Sequence, residues 1–243
     1  MIAIITAMEA EFMEIQQRML VDGRTEQFGD GFWRGTLKNK DIVAIKSGIG
    51  KENIVTAMKS LLDKSPLRLI ISTGVAGALS PDLISGDVII GEKILSRRGE
   101  TFFSDRNMLG VCIISCKKLG LRHFSSVILT VSEFVTSINE KMKLHKEYGA
   151  LAVEMESAFI ARYAVERGIP FLAVRIISDR ADTSFKIDFQ RIKRGGRIDP
   201  WKFFIYFLMH PILFLEFRIH RKTLALSASH LSDLIGEIIG HIN

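Results

Sequence analysis

The sequence predicts an α/β domain in which helices flank a mixed central sheet. Short apolar runs of strand length alternate with segments whose apolar residues recur at helical spacing. The 243 residues are 47% hydrophobic and 25% charged, which is typical of a packed globule and excludes a disordered chain. We expect a single domain over residues 1–185 and an aromatic and basic helical extension over residues 186–243, packed on the same domain.

The first half of the sequence contains several strands and one helix. IAIITAM is short and apolar and predicts a buried strand. Lys38-Asn39-Lys40 predicts the turn of a hairpin. SGIGKENIVTAMKSLLDKS predicts a glycine loop followed by a helix, and LRLIISTGVAGAL predicts a strand that runs into a turn of small residues. GDVIIGEKIL predicts a further strand.

The second half continues the alternation. Asn107 and Gly120 predict the start and the end of a helix over MLGVCIISCKKLG. Its cysteines, Cys112 and Cys116, share one face, and thiols without further ligands favour buried positions over a metal site. SSVILTV predicts a strand and EKMKLHKEYG a short polar helix. ALAVEMESAFIARYAVERG predicts a strand that leads into a helix, and IPFLAVRIISD predicts another strand.

The cysteine count and the first residues favour a cytoplasmic protein. Two cysteines exclude a disulfide scaffold, and the N-terminus lacks the basic lead of a signal peptide. The formal net charge of +6 is localised, because residues 186–222 contain nine Lys or Arg against three Asp or Glu. A uniformly basic surface would suggest nucleic acid, whereas these charges surround an aromatic run and favour an anionic lipid surface.

That aromatic run is FFIYFLMHPILFLEF, from Phe203 to Phe217. A membrane span needs about 20 apolar residues, whereas this run is shorter, contains Glu216 and is interrupted at His210-Pro211. We therefore predict two helices, over about residues 200–209 and 211–235. Two interpretations stay open: a buried helix pair or dimer interface, or a surface over residues 201–222 that meets a membrane or covers a lipophilic substrate.

Acidic residues follow three of the predicted strands. They are Glu9 and Glu11, Glu154 and Glu156, and Asp179 and Asp182. Proteins of the α/β class bind ligands at strand ends, where a carboxylate at the rim of a dry core can act as an acid or a base. The alternative is that these residues are acids at helix N-termini, stabilised by the helix dipole. Their recurrence at three strand ends favours a site.

Two glycine-rich turns accompany the acids, at Ser47–Lys51 and Ser72–Leu79. Glycines allow a ligand to approach the backbone, although ordinary tight turns have the same composition. Neither turn has the spacing of a P-loop or of a GxGxxG dinucleotide turn, so these nucleotide-binding motifs are excluded.

Seven motifs, in this order, resemble the nucleoside phosphorylase superfamily on its methylthioadenosine/S-adenosylhomocysteine nucleosidase branch. They are IITAMEAEF, SGIGKENI, STGVAGAL, SGDVII, SEFV, AVEMESAFIA and RIISDRAD, and they cover about residues 1–182. The resemblance implies a catalytic domain over residues 1–185, cleavage of the N-glycosidic bond of a purine nucleoside, and a homodimer. It implies neither a cofactor nor a metal.

The resemblance also implies roles for individual residues. Asp179 would donate a proton towards N7 of the purine, and Ser178 would help to hold that carboxyl group. Glu11 would orient and deprotonate the attacking water, and Glu156 would accept hydrogen bonds from the ribose hydroxyls. Around the substrate the implied contacts are Met155 against the sugar, Phe134 stacked on the base, the Val135 backbone at the base edge, and Ser47 and Gly48 on the sugar side.

The nucleophile depends on the second glycine-rich segment. Phosphorylases that resemble this pattern carry an Arg where this chain has Ser72 and a hydroxyl where it has Val75, so water is favoured over phosphate. Val75 also departs from the nucleosidases, which usually carry Ser there, and this favours an altered substrate. Arg175 is implied to lie near the site, although a surface Arg at a strand end is an equal alternative.

A subfamily resemblance bears on the substrate. Val153–Ser157, Pro170–Arg175 and the presence of a C-terminal helical extension are similar to hopanoid-associated phosphorylases, which act on adenosylhopane. The substrate implied is an adenosine with a lipophilic 5′ group, cleaved on the inner face of the membrane. The alternatives are a nucleosidase for methylthioadenosine or S-adenosylhomocysteine, a phosphate-dependent purine nucleoside phosphorylase, and a non-catalytic relative that binds nucleosides or lipids.

Overall fold

The structure, a computed structural model, describes residues 1–19, 31–64, 66–183, 193–194, 197–198 and 211–242. The strands are β1 (Ile2–Thr6), β2 (Phe32–Leu37), β3 (Lys40–Lys46), β4 (Leu69–Ala78), β5 (Val88–Ser96), β6 (Thr101–Phe103), β7 (His123–Thr130), β8 (Ala152–Glu154), β9 (Phe171–Asp179), β10 (Lys193–Arg194) and β11 (Arg197–Ile198). The helices are α1 (Glu9–Arg18), α2 (Lys51–Lys64), α3 (Arg106–Lys118), α4 (Ile138–Tyr148), α5 (Ser157–Glu166) and α6 (Pro211–Gly240).

Within the described residues, nine strands form one mixed sheet, which confirms the predicted fold class. β1 pairs in parallel with β3 on one side and with β4 on the other. β9 pairs in parallel with β4 and antiparallel with β5. Because β8 and β7 also connect β4 to β5, the strands β4, β8, β7, β5 and β9 close into a ring. This closure brings β4, β8 and β9, which carry several of the expected site residues, next to one another.

Helices cover both faces of the sheet. Apolar residues of α2 and α5, such as Met58 and Ile160, belong to one buried cluster. Residues of α1, α3 and α6, such as Phe12, Cys112 and Ile235, belong to a second cluster on the other face. β1 is buried along its whole length, as expected for a strand with neighbours on both sides and helices on both faces. The two cysteines are buried and free, as the sequence predicts.

The predicted hairpin and the predicted C-terminal helix are confirmed. Lys38 and Asn39 both have positive φ angles, +51° and +61°, which fits the two-residue turn between the antiparallel strands β2 and β3. α6 begins at Pro211, as predicted, and extends to Gly240. The other predicted helix, over about residues 200–209, lies outside the described residues, as do the side chains of Phe203 to Phe217.

The C-terminal half of α6 is part of the core. Leu231, Leu234, Ile235, Ile238 and Ile239 recur at helical spacing and are at most 2% exposed. They belong to the same buried cluster as residues of α1 and α3. α6 is fixed to α1 by polar contacts as well, because Arg18 donates to Asp233 at 2.8 Å and Ser232 donates to the Glu14 carbonyl at 2.9 Å. No helix in the described parts of the chain is long and apolar enough to cross a bilayer.

The structure corrects two local predictions. STGVAGA forms no turn, because β4 extends to Ala78 and is paired with β9 almost throughout, with a register irregularity between Ala76 and Gly77. Its small residues serve close packing instead, as the site geometry shows. α3 begins two residues earlier than expected, because the Asp105 side chain, not Asn107, caps it by accepting from the Met108 N–H. Its C-cap is Leu119, and Gly120 follows with φ +64°.

Candidate active site

One cavity brings together several of the predicted site residues. It lies at the C-terminal end of β1, beside the middle of β4 and β9 and the start of α5. Its lining residues are Ile5, Thr6, Ala7, Glu11, Ser47, Ser72, Thr73, Gly74, Val75, Glu156, Ile160 and Arg175. Ser47 is held there by two hydrogen bonds to the Thr6 carbonyl, from its N–H at 2.9 Å and from its hydroxyl at 3.0 Å.

Glu11 joins the first turn of α1 to β4. Its Oε2 accepts from the N–H groups of Ala7 at 3.1 Å and Met8 at 2.9 Å, and its Oε1 accepts from the Val75 N–H at 2.9 Å. Burial raises the pKa of Glu11, while the backbone N–H donors and Arg175 oppose that rise. A carboxyl group whose pKa is raised from 4.5 is better suited to accept a proton near neutral pH.

Gly74 is required by this position of Glu11. A Cβ atom at residue 74 would lie 2.8 Å from Glu11 Oε1, which is closer than real Cβ contacts allow. Gly77 has a related role, because a Cβ there would lie 3.3 Å from Asp179 Oδ2. The small residues of β4 therefore leave room for two of the predicted catalytic carboxyl groups.

Glu156 lies in the same cavity and is 8% exposed. Burial and the neighbouring Glu154 raise its pKa from 4.5 to about 8, against the opposing effect of Arg175. Its Oε1 accepts from the Gly50 N–H at 3.1 Å, so the SGIGK loop contacts the site through its backbone. Gly48 and Gly50 both have positive φ angles, +83° and +92°, which explains the glycines of this loop.

Arg175 is buried, and the alternative of a surface Arg at a strand end is wrong. It is 2% exposed, and its Nη2 donates to Glu154 Oε2 at 2.7 Å, to Ser72 Oγ at 2.8 Å and to Ser157 Oγ at 2.8 Å. Glu154 also accepts from the Thr130 hydroxyl at 2.5 Å and from the Ser157 N–H at 2.8 Å. The sequence indicates Glu154 as an acid after a predicted strand but does not indicate its partner.

Asp179 lies beside the cavity and is not one of its lining residues. It pairs with Gly77 of β4, two residues beyond the lining residue Val75. Its Oδ1 accepts from Ser178 Oγ at 2.8 Å, as the resemblance implied, and its Oδ2 accepts from Lys141 Nζ at 2.6 Å. Lys141 is not predicted from the sequence, because the segment that forms α4 indicates only a polar helix.

Three of the residues expected to contact the substrate, Phe134, Val135 and Met155, are not among the residues that line the cavity. Met155 and Val135 pack in one small cluster with Leu79, Leu129 and Val153. Phe134 follows β7 and is 44% exposed. Val75 donates its N–H to Glu11, and its side chain packs against the cluster on the α1 face. In the described part of the chain, no group of three or more His, Cys, Asp or Glu side chains could hold a metal ion.

A family model described as the phosphorylase superfamily matches residues 1–194. The chain belongs to the phosphorylase superfamily. Over 207 residues it is 28% identical to the 5′-methylthioadenosine/S-adenosylhomocysteine nucleosidases of Staphylococcus aureus (strain bovine RF122 / ET3-1) and Staphylococcus haemolyticus. Each match covers 78% of this chain and 91% of the relative. These matches confirm the resemblance to the nucleosidase branch.

Solved structures of this superfamily share the fold. The Neisseria meningitidis 5′-methylthioadenosine/S-adenosylhomocysteine nucleosidase, in complex with methylthio-immucillin-A, has a TM-score of 0.78 at 24% identity and covers 99% of both chains. The futalosine hydrolase of Helicobacter pylori has a TM-score of 0.77 at 21% identity, over 99% of this chain and 97% of its own. Both alignments cover 99% of this chain and therefore include the C-terminal helix α6.

Proposed function

We propose that the chain is a purine nucleosidase that cleaves the N-glycosidic bond of an adenosine-type nucleoside and releases adenine. The observation that carries the proposal is the cavity in which Glu11 and Glu156, both with raised pKa values, lie beside Arg175 with Asp179 adjacent. Relatives at 28% identity are named methylthioadenosine/S-adenosylhomocysteine nucleosidases, which supports the same reaction class.

The bond to be broken sets the task of each acid. As C1′–N9 lengthens, positive charge develops on the sugar and negative charge on the purine. Asp179 donates its proton to N7, so that adenine leaves as a neutral base, and Ser178 holds the carboxyl group through its 2.8 Å hydrogen bond. Glu11, whose pKa is raised by burial, takes a proton from the attacking water. Glu156 accepts hydrogen bonds from the ribose hydroxyls when it is ionised.

Water is the proposed nucleophile because the cavity is unfavourable to phosphate. Its lining contains the carboxyl groups of Glu11 and Glu156, which supply no positive charge to pair with a dianion. The cation that lines it, Arg175, already pairs with Glu154 at 2.7 Å. Ser72, at the position where similar phosphorylases carry an Arg, brings no charge and is bonded to Arg175.

The nucleophile is tested by measuring adenine release in a phosphate-free buffer and in the same buffer with added phosphate. We expect equal rates and a free ribose product. Strict dependence on phosphate, with a ribose 1-phosphate product, would refute hydrolysis and support the alternative of a phosphate-dependent phosphorylase.

We propose that the 5′ group of the substrate is a lipophilic substituent, as in adenosylhopane. We also propose that the protein docks on an anionic membrane surface. The sequence supports this through the aromatic run from Phe203 to Phe217 and its basic surroundings, whose side chains lie outside the described residues. The second candidate substrate is methylthioadenosine or S-adenosylhomocysteine, which the names of the relatives favour. We keep the homodimer as part of the proposal.

A comparison of substrates separates the two candidates. The kcat/KM value is measured for methylthioadenosine and for an adenosine with a long 5′-alkylthio chain, with and without vesicles that contain anionic lipid. If the site is lipophilic, we expect a clearly higher kcat/KM for the adenosine with the long 5′-alkylthio group than for methylthioadenosine. We expect the double variant Phe203→Ser, Phe207→Ser to lose this preference. Equal or better turnover of methylthioadenosine by the unchanged chain would refute the lipophilic substrate and leave adenine release intact.

The full chain is needed for these experiments. A version that ends near residue 185 lacks the buried apolar side of α6, including Leu234 and Ile238 at 0% exposure, so it exposes the cluster beneath that helix. We keep the proposed boundary between residues 1–185 and 186–243 because the two segments differ in amino-acid composition. We propose that the second segment completes the hydrophobic core of the first.

A further inference from the structure

A buried lysine lies against the acid of the proposed reaction. Lys141 is in the first turn of α4, its side chain is 0% exposed, and its Nζ donates to Asp179 Oδ2 at 2.6 Å. The same Nζ donates to the carbonyl groups of Arg180 at 2.8 Å and Thr183 at 3.0 Å. An ammonium group has three N–H donors, and these acceptors match them in number.

The buried position of the Lys141 ammonium group is energetically unfavourable, which indicates that the charge has a function. Lysine is almost never fully buried without a partner, and a positive charge in the first turn of a helix opposes the helix dipole. Lys143 and Lys146, on the same helix, follow the usual rule and are exposed. A buried ion pair is in general a poor source of stability, so stability alone does not account for this pair.

We propose that Lys141 is a positioning residue for the acid Asp179, an inference that rests on the proposed cleavage. Ser178 on Oδ1 and Lys141 on Oδ2 fix the orientation of the carboxyl plane from both sides. The bonds to the carbonyl groups of Arg180 and Thr183 hold the chain that follows β9. The proton of Asp179 is therefore presented in one direction, towards the purine.

The charge of Lys141 acts on the same step. When Asp179 donates, its O–H bond breaks, an N7–H bond forms, and the electron pair of the O–H bond stays on the carboxylate. The electrons of the C1′–N9 bond pass to the purine, which the new proton neutralises. Lys141 keeps its own protons and stabilises the carboxylate that remains 2.6 Å away. Lys141 should therefore accelerate the cleavage only of substrates whose leaving group must be protonated.

This restriction defines the experiment. Lys141→Met removes the charge and keeps the length of the side chain, and Lys143→Met makes the same change at an exposed position of the same helix. Each full-length variant is assayed with an adenine nucleoside and with 4-nitrophenyl β-D-ribofuranoside, whose phenolate leaves without protonation. For Lys141→Met we expect kcat on the adenine nucleoside to fall about 100-fold, at the lower end of general-acid effects.

The second substrate and the KM value separate positioning from a structural role. In Lys141→Met, we expect the KM of the adenine nucleoside and the rate on the nitrophenyl riboside to change less than about threefold, and Lys143→Met to leave both unchanged. A similar loss on both substrates, or no loss on the adenine nucleoside, would overturn the role. Failure of the unchanged chain to release adenine would instead refute the proposed function.

A double variant keeps the test decisive if Lys141→Met does not fold. Asp179→Asn combined with Lys141→Met removes both members of the buried ion pair, so no uncompensated charge remains. If Lys141 acts only through Asp179, the double variant has the same residual activity as Asp179→Asn alone. A further loss of tenfold or more in the double variant would show that Lys141 acts in another way.

Discussion

The carboxyl groups of the site occupy two different environments. Glu11 and Glu156 line a cavity where burial raises the pKa of both, and their partners include backbone N–H groups. Asp179 lies beside that cavity in an ion pair with Lys141. The first environment raises the pKa of groups that can hold or accept protons near neutral pH, whereas the second places the Lys141 ammonium group beside the carboxylate that remains after Asp179 has donated its proton. One edge of the sheet therefore provides separate places for a base and an acid.

Among the residues that line the cavity, the largest effect is expected at Glu156. Glu156→Gln removes the negative charge and replaces one of the two carboxylate oxygens that accept from the ribose hydroxyls with an amide donor. We expect kcat/KM for the adenine nucleoside to fall about 100-fold or more. The loss should appear equally with the nitrophenyl riboside, because both substrates have the same sugar. A loss confined to the adenine nucleoside would contradict the separation between the sugar side and the leaving-group side.

The same variant should change the dependence of stability on pH. The pKa of Glu156 is about 8 in the folded chain and 4.5 in the reference state, so folded protein binds more protons between these values. The stability that this group contributes is present below pH 4.5 and is lost as the pH rises through about 8. Chemical unfolding should show a free energy that decreases by a few kcal/mol over this range in the unchanged chain, and a smaller decrease in Glu156→Gln.

A smaller effect is expected at Gly74, which adjoins only the Glu11 side. Gly74→Ala places a Cβ atom 2.8 Å from Glu11 Oε1 and displaces that carboxyl group. We expect kcat to fall about tenfold to 100-fold on both substrates. Gly236→Ala is the matched control, since nothing lies within 4 Å of a Cβ there. Equal activity of the two variants would show that the position of Glu11 is unimportant.

The smallest effect on catalysis is expected in α6, because none of its described residues lines the cavity. Ile235→Ala removes a fully buried side chain and should lower the free energy of unfolding by about 2–5 kcal/mol. Leu226→Ala, at a residue 64% exposed on the same helix, should change it by less than about 0.5 kcal/mol. Both variants should keep the kcat of the unchanged chain at low temperature. A large loss of kcat in Ile235→Ala, with the fold intact, would connect α6 to the chemistry.

The sequence predicts the turns, helix starts and strands that depend on residues close together in the chain. It does not predict features that depend on contacts between residues far apart in the chain. The hairpin at Lys38-Asn39, the start of α6 at Pro211 and the buried strand β1 follow from local patterns, and the structure confirms them. β4 was cut short because its glycines resemble a turn. They are present because Glu11 and Asp179, from other elements, pack against them.

The buried charges show the same limit. Arg175 interrupts an apolar strand and Glu154 ends another, and a buried charge needs a partner of opposite sign, so this pair had a signal that sequence reasoning could have used. Lys141 had none, because it lies in a polar helix among other lysines and its partner is 38 residues away. The roles of Asp179, Glu11 and the residues around the substrate stay predictions.

In the proposed reaction, carboxyl groups at this edge of the sheet make adenine a good leaving group. This proposal is tested most directly by quantifying adenine released from 5′-substituted adenosines, short and lipophilic, by the full chain and by Asp179→Asn. We expect multiple turnovers by the unchanged chain and a rate lower by about 10²–10⁴ in the folded variant. Release at the same rate by both proteins, or no release from any of these nucleosides by the unchanged chain, would contradict it.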